Sequence, residues 1–177
     1  MREDKIVKFR NEIIPKAHEP LKNYKVTSRY GVARSYYTTK GEYKTDIHNG
    51  VDIYSDDREV YAMFDGGVME VFPDDGTGAK TVIMKHGEIL PFGDILLTLV
   101  THLDEIKVKR GDFIKAGDIV GIEGSSGNVT GRHLHLSMYR IPKNIWHHNK
   151  EWFKWDYKER YKYEINPNDV YRFYDEV

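Results

Sequence analysis

The chain has 177 residues, and its 27 basic and 28 acidic side chains leave a formal net charge of -1. This length allows one domain with a substantial core, and the balanced charge gives no electrostatic case for binding nucleic acid or an anionic membrane surface. There is no cysteine, which excludes disulfides, thiolate metal sites and a cysteine nucleophile, so any metal ion has to bind His, Asp or Glu.

The start of the chain predicts a short helix. Residues 3–14 place Ile6, Phe9 and Ile13 at roughly helical spacing before Pro15. The first five residues are charged and lack the apolar stretch of a secretory signal. No run approaches the ~18 apolar residues that span a bilayer. We therefore expect no membrane insertion, and either a protein without its own signal or a piece of a longer one.

From about Lys25 to Tyr139 the chain consists of short β-rich runs bordered by glycine or aspartate. Their length and close spacing predict an all-β fold, with antiparallel sheets in a sandwich or small barrel. Gly111-Asp112 and Gly117-Asp118 predict two very short strands in a tight meander. The predicted strands are Val51–Tyr54, Val60–Phe64, Gly67–Phe72, Thr81–His86, Ile95–Leu103 and His133–Tyr139.

One predicted strand carries two histidines on the same face. His133 and His135 alternate with Leu134 and Leu136, and side chains at i and i+2 of a strand point the same way, roughly 6–7 Å apart. Taken alone, the pattern also fits a chance pair on a solvated face.

A histidine and an aspartate four residues apart form the second candidate pair. On a straight strand His48 and Asp52 would stand roughly 13 Å apart, too far for one metal ion with ligand bonds of roughly 2.0–2.2 Å. A shared ion therefore requires a bend between them. Asn49-Gly50 tolerates positive φ and makes such a bend easy.

Two further histidines, His86 and His102, lie within predicted strands. A lone histidine in a strand is more often structural than catalytic. We keep that interpretation for His86 and leave His102 open.

Together these motifs resemble the lysostaphin-type (LytM-like) zinc endopeptidases, a family of peptidoglycan hydrolases. His48-x-x-x-Asp52 and His133-x-His135 match the two hallmark motifs of that family. The resemblance covers about Lys25 to Tyr139, with a recognisable exit at 165–167. Other stretches similar to the family are Ser28–Gly31, Val60–Ala62, Asp65–Val68, Val108–Gly121 and Gly124–His135.

The resemblance implies antiparallel sheets that enclose a groove, the duplicated hybrid motif. It also implies one zinc ion per chain, held by His48, Asp52 and His135 with a fourth position for water. His102 and His133 would be the two catalytic histidines that do not bind the metal. We prefer His133 as general base and His102 as partner of the oxyanion, and the residues alone leave that choice open. Tyr43 is a candidate extra donor.

The implied domain organisation is an N-terminal extension over residues 1–24 and a peptidase domain over residues 25–177. That domain would carry an aromatic-rich insertion at about 141–165, expected to be an elaborated loop or a short helix. Two departures from the usual family pattern are expected to line the groove: Arg132, where proline is common, and the pair Val100-Thr101 before His102.

The implied activity is zinc-dependent hydrolysis of peptide bonds in bacterial peptidoglycan, in the stem or the cross-bridge. The expected place of action is the cell wall, either extracellular or as part of a virion, as in a phage lysin. We expect a monomer or a part of a larger assembly.

Other functions stay open. One is a non-catalytic module of the same fold that binds the wall or activates other hydrolases. A second is a phosphocarrier or lipoyl-like hybrid barrel, in which Gly-Asp meanders recur. In addition, Trp146, Trp152 and Trp155 in the insertion fit either carbohydrate binding or a covering for the core.

Overall fold

A computed structural model of the protein describes residues 17–38, 40–148 and 160–175, and this part of the chain is almost entirely β-structure. The predicted all-β fold with antiparallel sheets is confirmed. One short α-helix, α1, spans Lys143–His148, and two 3-10 turns span Pro91–Gly93 and Pro167–Asp169. The strands are β1 (Lys25–Ser28), β2 (Ala33–Tyr37), β3 (Tyr43–Ile47), β4 (Val51–Tyr54), β5 (Glu59–Tyr61), β6 (Gly66–Phe72), β7 (Lys80–Lys85), β8 (Ile95–Ile106), β9 (Phe113–Ile114), β10 (Ile119–Glu123), β11 (Leu134–Ile141) and β12 (Glu164–Ile165).

Ten of the described strands form one antiparallel sheet, and β2 and β3 form a separate hairpin. The main sheet runs in the order β1-β4-β11-β8-β7-β6-β9, with β10 paired to β5 and β8 and β12 paired to β11. Strands β4, β11 and β8 are therefore neighbours near its middle. Among the described residues, no helix is long and apolar enough to cross a membrane.

The long strand β8 is buried on both faces, which explains its continuous apolar sequence. Leu96 and Val100 pack into one core cluster with Leu136 and Met138 of β11. The alternate residues of β8, which are Ile95, Leu97 and Leu99, enter a second cluster on the other face of the sheet. Their partners there are Ile83, Tyr139 and Ile141. Because both faces are covered, the central strands offer a rigid base for side chains at their ends.

Strands are present at the predicted Gly-Asp turns, as β9 and β10. The predicted meander is wrong, because β9 pairs with β6 whereas β10 pairs with β5 and β8. Gly111 and Gly117 have φ of 90° and 92°, a conformation that glycine adopts without steric cost. The aspartate after each glycine closes the turn in the same way: Asp112 accepts the amide N–H of Lys109, and Asp118 accepts that of Lys115.

The hairpin of β2 and β3 was not predicted from the sequence. Its strands pair in register from Ala33–Ile47 to Tyr37–Tyr43, and many of their side chains are exposed. The ribbon lacks the buried apolar face that marks a strand in a sequence. The predicted N-terminal helix at 3–14 lies outside the described residues, and so do residues 149–159 of the insertion. The insertion begins with α1, the short helix that was one of the two expected forms.

His86 is a buried histidine with a structural role, as predicted. It is 3% exposed, and its Nε2 lies 2.7 Å from Thr98 Oγ1 while its Nδ1 lies 3.2 Å from the carbonyl oxygen of Asp65. Burial lowers the pKa of His86 to about 4, against the hydrogen bonds to backbone carbonyls, which raise it. The folded protein therefore keeps this imidazole neutral.

Replacing His86 with Gln should flatten the acid side of the stability profile. The unfolded chain protonates this histidine near the ordinary histidine pKa of 6.5, and the folded chain does so only near 4. The contribution of neutral His86 to the free energy of unfolding is thus complete above pH 6.5 and is lost as the pH falls towards 4. We expect the free energy of unfolding to fall about 2–3 kcal/mol less in His86→Gln than in the wild type between pH 7.5 and 4.5.

Chemical denaturation in the presence of a chelator measures this difference without a contribution from metal release. Thr98→Val is the control: it removes the hydroxyl partner of Nε2 and leaves the imidazole in place, so its profile should stay steeper than that of His86→Gln. If the free energy of unfolding changed with pH in the same way in His86→Gln and the wild type, the lowered pKa of His86 would be contradicted.

Candidate metal centre

Three residues of the candidate site face one another because neighbouring strands are in register. His135 of β11 stands directly opposite Asp52 of β4 and opposite Thr101 of β8. Directly opposed residues of an antiparallel pair share a face, with Cβ atoms about 4.5–5.5 Å apart. The pairing of β4 with β11 thus brings Asp52 and His135 together across 83 residues of sequence.

His48 reaches the same point because the chain bends between β3 and β4. The Nε2 of His48 lies 3.1 Å from Asp52 Oδ1, so the predicted bend is confirmed. Its expected reason is wrong, because neither Asn49 nor Gly50 is among the described residues with positive φ. Gly50 is needed for space: a Cβ there would lie 2.4 Å from the carbonyl oxygen of Leu136 and 2.8 Å from the ring of His135.

The three predicted ligands form a buried group that could hold one metal ion. His48 Nε2 lies 3.1 Å from His135 Nδ1, which lies 2.9 Å from Asp52 Oδ1. In a tetrahedral zinc site with bonds of roughly 2.0–2.2 Å, ligand atoms stand roughly 3.3–3.5 Å apart. The observed spacing is within a few tenths of an ångström of that.

Hydrogen bonds on the far side of each imidazole direct its lone pair to the centre. His48 donates Nδ1–H to the carbonyl oxygen of Arg29 at 2.8 Å. Ser137 donates its hydroxyl to the carbonyl oxygen of Asn49, so its oxygen accepts from His135 Nε2–H at 2.9 Å. Both ring protons are then outside the centre. Two imidazole lone pairs and a carboxylate converge, an arrangement that a cation stabilises.

Asp52 is ionised in this environment. Burial raises the pKa of its carboxyl, but the neighbouring rings of His135 and His48 outweigh burial and hold that pKa below its usual range. Burial also lowers the pKa of His135, against the nearby Asp52, which raises it. The ionised carboxylate of Asp52 gives the centre a negative charge that a bound cation would balance.

A β-bulge turns His102 towards this centre. Lys80 pairs with Leu103 and Val82 with Val100, so Thr81 alone faces both Thr101 and His102. His102 has φ of 67°, a conformation that costs a residue with a side chain about 1–2 kcal/mol. Regular alternation would point His102 away from the face of Thr101 and His135. The bulge instead sets its ring 6.1 Å from that of His135, centroid to centroid.

The two histidines expected not to bind the metal lie side by side. The ring centroids of His102 and His133 are 4.9 Å apart, and His133 Nε2 is 3.7 Å from Asp52 Oδ1. His102 donates Nδ1–H to the carbonyl oxygen of Ser126 at 2.7 Å. Burial first, and the neighbouring His135 second, lower the pKa of His102 to about 4, so this ring is neutral near pH 7.

Two further residues singled out by the sequence are Tyr43 and Arg132. Tyr43 is 61% exposed and packs on Tyr37 near the turn of the hairpin, so the structure does not bring it to the ligands. The guanidinium of Arg132 bonds the carbonyl oxygen of Ser55 at 2.8 Å and Glu123 Oε2 at 3.0 Å. This pair ties the loop before His133 to β10. The expected place of Arg132 in a groove wall stays a prediction.

Two supporting residues were missed in the sequence. Ser137 follows His135 at i+2, so its place on the same strand face could have been predicted. Glu164 of β12 forms hydrogen bonds with Tyr30 and Asn49 and supports the 48–50 bend from the C-terminal side. No pattern in the sequence links Glu164 to residues more than a hundred positions earlier.

Comparison with known proteins shows the family of this chain. The model of Peptidase family M23 matches residues 46–150. The chain belongs to peptidase family M23. It is 29% identical over 116 residues to the peptidoglycan DD-endopeptidase ShyA of Vibrio cholerae, a match that covers 65% of this chain and 25% of ShyA. The chain thus spans about a quarter of the length of that relative.

Solved structures of M23 domains share the fold. The catalytic domain of lysostaphin from Staphylococcus simulans is 29% identical, with a TM-score of 0.52 over 70% of this chain and 86% of that domain. A mutant catalytic domain of the prophage-encoded M23 protein EnpA from Enterococcus faecalis is 26% identical, with a TM-score of 0.57 over 89% of this chain and 98% of that one. The lysostaphin-type resemblance and fold are confirmed.

M23 peptidases depend on zinc, and the buried group of this M23 chain fits that ion. Two imidazole nitrogens and one carboxylate oxygen are zinc ligands of ordinary type, and three protein ligands are the number that a catalytic site uses. The donor atoms, their spacing and the outward-facing ring protons all agree with a zinc site.

Replacing Ser137 with Ala should weaken zinc binding about 10- to 100-fold. The substitution removes the oxygen that accepts Nε2–H of His135, and loss of such an outer partner costs about that much affinity. Competition with a fluorescent chelator measures the affinity. Ser35→Ala on the exposed hairpin is the matched control and should bind zinc as the wild type does; equal affinities for both variants would count against the role of Ser137.

Replacing Gly50 with Ala should disrupt the centre more strongly. The added methyl group meets the backbone of Leu136 and the ring of His135, and overpacking of this kind typically costs about 1–3 kcal/mol. We expect a lower melting temperature and loss of most zinc affinity. Gly67→Ala is the control, because a Cβ there meets only the carbonyl oxygen of Asp112 at an ordinary 3.6 Å. Normal zinc binding by Gly50→Ala would exclude the steric argument.

Proposed function

We propose that this M23 chain is a zinc-dependent endopeptidase that hydrolyses peptide bonds in bacterial peptidoglycan. The observation that carries the proposal is a three-ligand centre with two further histidines beside it, His102 and His133, neither of which is needed to hold a metal. A purely structural zinc site has four protein ligands and no reason for such a pair. The name of ShyA, a peptidoglycan DD-endopeptidase, supports the substrate class.

In this proposal His48, Asp52 and His135 hold the zinc ion, one per chain. When bound, zinc lowers the pKa of a coordinated water towards ~7 and polarises a carbonyl group. The protein fixes the ligand geometry through the outer hydrogen bonds of Arg29 and Ser137.

The hydrogen bonds support distinct roles for the two histidines. With Nδ1–H committed to Ser126, neutral His102 presents an unprotonated Nε2 that can accept a proton, as a general base must. His133 has Nδ1 at 3.0 Å from the carbonyl oxygen of Gly131 and Nε2 beside the Asp52 carboxylate. In this proposal the Nε2 side of His133 faces the centre and would donate a hydrogen bond to the oxyanion. This proposal exchanges the roles preferred from the sequence.

The finer aspects of function are also proposals. We infer a peptidase domain over residues 25–177 and an N-terminal extension over 1–24, whose buried Leu21 joins the core. We place the activity at the bacterial cell wall. The similarity to a prophage-encoded M23 domain supports a phage lysin or virion-associated enzyme as the setting.

The test joins a metal measurement to digestion of purified cell walls. We expect about one zinc ion per chain, release of new peptide termini detectable by mass spectrometry, and loss of both activity and metal on chelation. His135→Ala should lose both zinc and activity. His102→Ala and His133→Ala should keep zinc and lose activity about 10²- to 10⁴-fold, the usual contribution of a positioned acid or base.

His18→Ala is the control, because His18 lies outside the centre and packs against Tyr61; it should keep zinc and turnover. Stoichiometric zinc without cleavage of any wall peptide would refute the proposed activity. Stimulation of another hydrolase that survives in His135→Ala would instead identify the non-catalytic, activating module.

A further inference from the structure

One cation stands at the edge of the metal centre without being part of it. Arg34 lies on β2 directly opposite Asp46 on β3, and its Nε donates to Asp46 Oδ1 at 2.7 Å. The guanidinium also lies over the ring of Tyr36, 5.6 Å from its centroid. These contacts fix the direction of the side chain.

The free end of this guanidinium points to the ligands. Arg34 Nη1 is 3.9 Å from Asp52 Oδ2, the carboxylate oxygen that does not face the two imidazoles. This distance is too long for a hydrogen bond. The side chain is 37% exposed, and among the described residues Asp46 is the acceptor of its one hydrogen bond. The Nη groups therefore keep N–H donors for a molecule that enters the site.

The surrounding charges favour an anion at this position. Asp46 balances Arg34, and the remaining carboxylate, Asp52, is a ligand of the centre. Glu42 on the same hairpin pairs with Lys44 at 3.7 Å, and Glu164 is turned to Tyr30 and Asn49. With a divalent ion among the ligands, the mouth of the site has a net positive charge. A guanidinium binds carboxylates through paired, parallel hydrogen bonds.

We propose that Arg34 binds a free carboxylate of the substrate beside the scissile peptide bond. The inference rests on the proposed peptidase function and narrows its substrate class. The chain then acts on cross-links whose flanking residue carries a carboxylate, as diaminopimelate does, in preference to uncharged bridges such as oligoglycine. Arg34 determines specificity and holds no metal.

The experiment compares two synthetic cross-linked stem-peptide dimers that differ only at the diaminopimelate carboxylate next to the D-Ala bond. One has it free and the other amidated. For zinc-loaded full chain we expect kcat/KM to be about 10- to 100-fold higher for the free carboxylate, mainly through KM. In Arg34→Gln, kcat/KM for the free carboxylate should fall to the value for the amidated dimer, so the preference is lost. Arg34→Lys should keep part of the preference. Raising the salt concentration should shrink it.

Lys44→Gln is the matched control, since it removes one positive charge from the same hairpin and the ion pair of Lys44 is with Glu42, not with a ligand. It should keep the preference of the wild type. Binding of both peptides to zinc-loaded His133→Ala, with and without Arg34→Gln, gives a readout that does not depend on turnover. Zinc affinity and melting temperature of Arg34→Gln report any structural effect.

The outcomes separate the two proposals. Cleavage of both dimers at equal rates by the wild type would overturn the role of Arg34 and leave the peptidase function standing. If Arg34→Gln lowered kcat/KM equally for both dimers and altered zinc affinity, Arg34 would be a structural partner of Asp52. That result would also overturn its proposed role in binding the substrate carboxylate. Binding selective for the carboxylate without any cleavage would sustain the role of Arg34 and refute the peptidase function.

Discussion

The structure depends on keeping three electron-pair donors together with no proton between them. Asp52 is nearly buried and ionised beside two imidazoles whose own protons are committed to Arg29 and Ser137. Such a group is repulsive without a cation, because burial removes the water that would otherwise screen it. The register of β4 and β11, the close approach at Gly50 and the outer hydrogen bonds all act against that repulsion. Metal binding and the stability of this region are therefore coupled.

The sheet supplies rigidity and departs from regularity only where the chemistry needs it. Strands β4, β11 and β8 are covered by apolar clusters, so their alternation is fixed and a ligand cannot rotate to the other face without exposing the core. The same regularity would direct His102 away from the centre. The bulge opposite Thr81 changes that direction and places a histidine in a left-handed conformation. The local strain is held by the long pairing of β8 on both sides.

The sequence predicted the parts of the fold that have an apolar signature. Buried strands such as β4 and β8 were found because their side chains are strongly apolar, and the β2–β3 hairpin was missed because it buries little. The bend before Asp52 was predicted correctly with the wrong cause, since a close approach between Gly50 and Leu136 leaves no trace in one sequence. His102 had no decisive signal for a similar reason: a bulge depends on the partner strand, and only the family resemblance drew attention to it.

Arg34 shows why the hairpin matters although it contributes little to the core. A bare guanidinium near a divalent ion would weaken metal binding, because the two positive charges repel across a poorly hydrated space. Asp46 reduces that repulsion by pairing with Arg34 across the ribbon, so the cation can stay beside the ligands. The ligands lie on or beside the rigid sheet and the substrate-facing charge lies on a separate ribbon. A substitution on the ribbon can therefore change substrate choice without altering the metal geometry, whereas a substitution at Gly50 or Ser137 changes both.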